Sequence, residues 1–188
     1  GFAIGTETRG SIISPSTRNG VTGLRPTFGR VSRYGAMALS WTMDKIGPMC
    51  RSAEDCALVF DVMLGPDGLD NTVLDVPFNW DATSQISSLR VGYLRSAFED
   101  DIVDDSENPQ LVESQRQRLS NSQVALGVIR DLGVQVAPFD LPDVPTDAIG
   151  FILGTEAAAA FDVPTLNAQL DSMRQPPEES RWPDSFRA

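Results

Sequence analysis

The chain has 188 residues, with 15 Lys and Arg against 26 Asp and Glu, a formal charge of −11 and 41% hydrophobic content. It is long enough to bury one core, and its composition is that of an ordinary globular protein. The acidic balance excludes nucleic-acid binding through a basic face. No apolar run approaches the roughly 18 residues of a membrane span and no signal peptide is visible, so a cytoplasmic protein without membrane contact is expected.

The first element read from the pattern is a short buried strand over Phe2-Ala3-Ile4, feeding a loop of glycines and hydroxylic residues. Pro15 opens a short helix over Ser16–Asn19 that Gly20 stops, and Val21–Arg25 is a short strand broken by Pro26. Phe28–Ser32 has strand-like content, and Asp44–Met49 reads as a strand ending at Gly47-Pro48. Ser52 is a helix N-cap with Glu54 and Asp55 in the first turn. Cys56, Val59, Phe60 and Met63 then form the apolar stripe up to Gly65-Pro66.

Residues 66–88 are rich in Pro, Gly, Asp and Ser and read as a surface connection pinned by Phe78 and Trp80. Leu89–Leu94 alternates like a strand. The acidic tract Glu99-Asp100-Asp101, Asp104-Asp105 and Glu107 lacks the EF-hand order and reads as a solvated loop, not a Ca²⁺ site. Asn108 and Pro109 start a helix running to Leu132, Gly133 stops it, and Val134–Ala137 is a strand. Strand, helix, strand is a βαβ-like unit. A last helix covers Asp147–Phe161, and residues 162–188 read as irregular. The apolar start at Gly1 and the open end at Ala188 read as those of an internal fragment.

The chemistry concentrates in Gly5-Thr6-Glu7-Thr8-Arg9-Gly10-Ser11-Ile12-Ile13-Ser14-Pro15. A glycine beside a serine lets successive N–H groups point one way, as an oxyanion hole requires. The N–H groups of Thr8, Arg9, Gly10 and Ser11 are the candidate donors. Ser11 as a nucleophile needs a base, and the chain offers none readily: it has no histidine, and Lys45 is its single lysine. The G-x-S-x-G elbow and the nucleotide-binding loops are missing as well. Cys50 and Cys56 form no CxxC or Cys/His cluster, so no metal or cofactor is expected, and Cys56 reads as a small buried hydrophobe.

Gly10-Ser11-Ile12, Pro15, Gly20-Val21, Gly23-Leu24-Arg25-Pro26-Thr27, Gly29-Arg30-Val31-Ser32 and Asp44-Lys45-Ile46-Gly47-Pro48-Met49, in that order, resemble the signature region of the amidase signature family. The resemblance is dense over about the first 65 residues and thinner beyond them. It implies an α/β fold, a mixed β-sheet core covered by helices, of which this chain is one partial domain. In that domain 1–65 form the signature region, 66–88 the connection, 89–161 the βαβ-like part and 162–188 an irregular end.

The resemblance also implies an amidase that hydrolyses linear amides through an acyl-enzyme, using a Ser–cis-Ser–Lys triad. Ser11 matches the nucleophile, and the turn Thr8–Ser11 matches the oxyanion hole. The triad's lysine and cis-serine lie upstream in the family and have no counterpart here, so the isolated chain is expected to be inactive. Lys45 does not match the catalytic lysine and is assigned a surface or structural role. Arg9 stands where the family often has glycine, and Ile13 where it often has arginine. The implied partners are a small-molecule amide and, alternatively, a second copy or the partner subunits of a glutamyl-tRNA amidotransferase. A non-catalytic binding domain of the same fold is the reading from a different class.

Overall fold

The structure, a computed structural model, describes residues 1–99, 102 and 108–169. The described residues fall into two compact units, one made by 1–80 with 145–169 and the other lying within 81–144.

In the first unit β1 (Ala3–Glu7), β2 (Thr22–Gly23) and β3 (Lys45–Cys50) form a sheet of order β1-β3-β2, and both neighbours run antiparallel to β3. β1 starts one residue later than its pattern suggests and runs on to Glu7. It is an edge strand, and Phe2 and Ile4 are exposed where burial was expected. β2 is shorter than the span 21–25. Leu24 still donates its N–H to the Pro48 carbonyl at 2.9 Å, but Arg25 turns toward Glu7 and Pro26 has no N–H to continue the ladder. Phe28–Ser32 forms no strand, and only Val31 makes isolated bridges, to Leu64 and Gly65.

Helix α1 (Ile13–Asn19) follows the signature turn and ends at Gly20, whose φ of 62° is the left-handed conformation that glycine adopts without penalty. Helix α2 (Ala53–Met63) begins as read: the Ser52 hydroxyl accepts from the Asp55 N–H at 3.0 Å, and Cys56, Ala57 and Phe60 are buried. Phe78 meets Phe60 edge to face with centroids 4.9 Å apart, so it does pin the connection. Trp80 is 48% exposed and does not.

The last helix, α5 (Asp147–Leu166), contains Pro164 in its final turn and so extends past Phe161, where an irregular segment was expected. At 20 residues with a mean hydropathy of 1.3 it is long and apolar enough to cross a membrane, contrary to the expectation drawn from apolar runs alone. Its contacts are those of a helix docked within the first unit. Ala157 and Phe161 are buried, and the Glu156 carboxylate accepts from the Ser40 hydroxyl, the Thr42 N–H and the Thr42 hydroxyl.

The second unit is the βαβ arrangement read from the sequence. β4 (Arg90–Leu94) and β5 (Gln135–Phe139) pair in parallel from Arg90–Gln135 to Leu94–Phe139, and the crossover is helical. A short helix α3 (Arg95–Phe98) leads from β4, and the long α4 (Pro109–Asp131) is capped by the Asn108 side chain, which accepts from the Leu111 N–H. Val112, Leu126, Val134 and Tyr93 are the buried members of this unit. In the acidic tract Glu99 accepts from the Tyr93 hydroxyl and pairs with Arg95. Its other members, Asp100, Asp101, Asp104, Asp105 and Glu107, lie outside the described residues, and so does the end segment 170–188.

Candidate functional site

β1 delivers the chain into the signature turn, and the last residue of the strand sets the turn's shape. Glu7 is 1% exposed, and its side chain folds back beneath the loop that follows it. One carboxylate oxygen accepts the N–H of Ile12 at 2.8 Å and that of Ile13 at 3.0 Å; the other accepts from the Arg25 guanidinium at 3.3 Å. A carboxylate thus meets the first free N–H groups of α1, where an anion is favourably placed. These bonds close residues 7–13 into a loop with Thr8–Ser11 at its crest.

Ile12 fixes the loop from the apolar side. It is fully buried, and three strand glycines surround it: a Cβ built on Gly5, Gly23 or Gly47 would lie 3.4, 3.0 or 3.2 Å from its side chain. At Gly47 the added carbon would also meet the Leu24 carbonyl oxygen at 2.2 Å. These three are strand residues that clear a pit for one isoleucine.

With Ile12 buried, its neighbour Ser11 is carried outward. Ser11 is exposed, and its hydroxyl has no hydrogen-bond partner among the described residues. Nor do the N–H groups of Thr8, Arg9, Gly10 and Ser11 reach an acceptor among them, whereas the next two N–H groups are held by Glu7. Arg9 accommodates its position without a left-handed backbone, since Ala168 is the only non-glycine with positive φ among the described residues. Its exposed side chain lines a cavity of about 440 Å³ together with Thr8, Arg25, Met43, Thr146 and Asp147.

The second wall of the turn comes from the start of β3. The Asp44 carboxylate accepts from the Thr8 hydroxyl at 2.6 Å with one oxygen and from the N–H groups of Leu39 and Ser40, at 2.8 and 2.9 Å, with the other. The Lys45 ammonium donates to the Thr8 carbonyl at 3.2 Å and to the Met43 carbonyl. Partial burial is the main cause holding the Lys45 pKa below the ordinary lysine value; the Arg25 charge adds to it, and Glu7 and Asp44 oppose it. The parts that pattern reading passed over are therefore Glu7, Arg25, Asp44 and Lys45 as supports of the turn. Arg25, Asp44 and Lys45 lie within the stretches that resemble the signature and Glu7 just before them, but no local spacing says that their side chains converge. Among the described residues no cluster of His, Cys, Asp or Glu has the makings of a metal site.

The sheet edge, the glycine-serine turn and the antiparallel Asp-Lys-Ile-Gly-Pro segment are stretches that resemble the amidase signature family. The chain is a member of that family: the family profile described as Amidase matches residues 1–179. It is 35% identical over 178 residues to the A subunit of the glutamyl-tRNA(Gln) amidotransferase of Roseiflexus sp. (strain RS-1), covering 93% of this chain and 34% of that protein. The corresponding protein of Thermus thermophilus is 35% identical over 180 residues, covering 95% and 36%. Among solved structures, the same amidotransferase component from Thermotoga maritima superposes with a TM-score of 0.70 at 25% identity, covering 90% of this chain and 37% of that one. The native peptide amidase of Stenotrophomonas maltophilia gives 0.62 at 32% identity, covering 93% and 34%. The chain thus spans about a third of the length of the relatives it matches. The family and the α/β fold expected from the signature are borne out.

Proposed function

We propose that this chain carries the nucleophile and the oxyanion donors of an enzyme that hydrolyses a linear carboxylic amide, with Ser11 as the nucleophile. The observation that carries the reading is the row of N–H groups from Thr8 to Ser11, free among the described residues, beside an exposed hydroxyl that has no partner among them either. In the reaction the Ser11 oxygen attacks the amide carbonyl carbon, and its proton leaves to a base. The negative charge that develops on the carbonyl oxygen is met by the turn's donors. Collapse of the adduct breaks the carbon–nitrogen bond, the proton passes to the departing amine or ammonia, and an ester on Ser11 remains for water to cleave. The base comes from residues outside this chain, since Lys45 is committed to two carbonyls and there is no histidine. The 188 residues alone therefore give no turnover.

A second reading, favoured by the names of the Roseiflexus and Thermus relatives, makes the same site the ammonia-releasing part of a glutamyl-tRNA amidotransferase working with partner subunits. The first experiment treats the full-length polypeptide carrying these residues with a fluorophosphonate and maps the adduct by mass spectrometry. The adduct is expected on Ser11, and Ser11→Ala removes both labelling and amide turnover. An adduct on another residue overturns the assignment. Co-purifying subunits with glutamine-dependent ammonia release would select the second reading over the first.

A further inference from the structure

The Asp44-Lys45 pair at the start of β3 is a piece of the signature that the proposed chemistry leaves unused and that touches the donor turn. Both residues bind Thr8, the first residue of the donor turn, and they bind it differently. Asp44 holds the hydroxyl, while Lys45 holds the backbone carbonyl. The carbonyl is the informative contact. A trans peptide is planar, and its C=O and the following N–H point in opposite directions. The Thr8 carbonyl shares its peptide plane with the N–H of Arg9. An ammonium fixed on that oxygen therefore fixes the line along which the Arg9 N–H points, which is away from Lys45. It also draws electron density toward the carbonyl, so the N–H at the other end of the same peptide becomes a stronger donor.

We propose, resting on the assignment of the Thr8–Ser11 turn as the oxyanion hole, that Lys45 is a positioning residue that aims and polarises the Arg9 amide, with Asp44 holding Thr8 in register for it. The support around the pair is continuous. The second oxygen of Asp44 is tied to the N–H groups of Leu39 and Ser40, and Ser40, fully buried, donates to Glu156 on α5. Lys45 is held in place by its second bond, to the Met43 carbonyl. The turn is thus anchored to the body of the unit through Thr8 and cannot rotate its Arg9 peptide without breaking a charged hydrogen bond.

The geometry predicts an effect confined to the transition state, because the carbonyl oxygen of the substrate becomes an anion only there. In the full-length enzyme Lys45→Met should lower kcat by about ten- to hundredfold while KM stays within about twofold, and the rate of fluorophosphonate labelling of Ser11 should fall in proportion. Lys45→Arg keeps a cation in reach and should restore most of kcat. A second readout does not depend on Lys45→Met folding well. The charges facing the Lys45 ammonium are Glu7 and Asp44, which favour it, and Arg25 and Arg33, which oppose it. With its pKa below the ordinary lysine value, the ammonium loses its proton earlier than a free lysine as pH rises, and kcat should fall there. In Lys45→Arg that alkaline fall should move to higher pH. Equal kcat in wild type and Lys45→Met, or an alkaline limb unmoved by Lys45→Arg, overturns the proposal. So does a kcat loss that tracks only a lowered melting temperature. Failure of wild type to label on Ser11 would instead remove the oxyanion-hole assignment beneath it.

Discussion

Replacing Glu7 by alanine should loosen the signature turn by an amount that the structure allows to be worked out. The carboxylate is buried and accepts two backbone N–H groups through one oxygen, with the Ile12 donor fully inside and the Ile13 donor partly exposed. Truncation leaves the Ile12 N–H without a partner in a site too crowded to admit water easily, at a cost of about 1–3 kcal/mol; the Ile13 group, nearer solvent, adds about 0.5–1 kcal/mol. The Arg25 arm contributes little, because its guanidinium is half exposed and returns to water. The sum is about 1.5–4 kcal/mol.

Glu7→Gln separates geometry from charge. The same oxygen position accepts both N–H groups, so a glutamine oxygen placed there keeps both bonds, and the loss reduces to charge assistance and an amide facing Arg25, about 1–2 kcal/mol. Urea unfolding of the full-length protein, followed by circular dichroism, should rank wild type, Glu7→Gln and Glu7→Ala in that order of midpoint at unchanged slope. Ser11 labelling should slow most in Glu7→Ala, whose crest is no longer closed from below. A midpoint for Glu7→Ala equal to wild type, or for Glu7→Gln as low as for Glu7→Ala, would refute the claim that the two N–H bonds hold the turn.

Gly47→Ala should destabilise by about 2–3 kcal/mol, since the new carbon meets backbone as well as Ile12, and the same urea series reads it. The Cys56 thiol, pushed up to about 11 mainly by burial and by its contact with Cys50, should stay unalkylated by iodoacetamide at pH 7 until the protein is unfolded. Its raised value also sets a sign. The unfolded thiol ionises near its ordinary value of 9.0 while the folded one keeps its proton, so this contribution is complete below pH 9 and is lost as pH rises toward about 11. A urea midpoint that rose between pH 9 and pH 10.5 would contradict this.

How much of this was legible in the sequence differs by the kind of signal. The Ser52 cap, the Asn108-Pro109 start and the Gly20 stop are local rules and appear where they were read. The parallel pairing of β4 with β5 follows from the strand-helix-strand order. Elements whose fate depends on distant partners were misread. Pro164 lies in the final turn of α5, just past the buried Phe161, and Phe28–Ser32 forms no strand, with Gly29 at a φ of 77° and Arg33 drawn to Asp70. Glycine was ambiguous in the same way. Gly20 is present for its backbone angle, but Gly5, Gly23 and Gly47 are present for what lies above them, and only the packed sheet distinguishes the two uses.

The candidate site shows why a proposed nucleophile can be read from sequence before the residues that hold its turn. Ser11 is conspicuous by its immediate neighbours, yet nothing attached to Ser11 holds it in place. Its position is set by the residue after it, Ile12, seated over three glycines from three strands. It is also set by Glu7 four residues before it and by Asp44 and Lys45 from beyond the next strand. An exposed hydroxyl on a free turn would lose the orientation that makes adjacent N–H groups useful as oxyanion donors, because their value depends on being aimed before the charge appears. In the proposed oxyanion turn a carboxylate holds the chain from below, an ammonium from the side and an apolar plug from inside. Each of the three makes its contact at a residue other than Ser11, whose hydroxyl has no partner among the described residues.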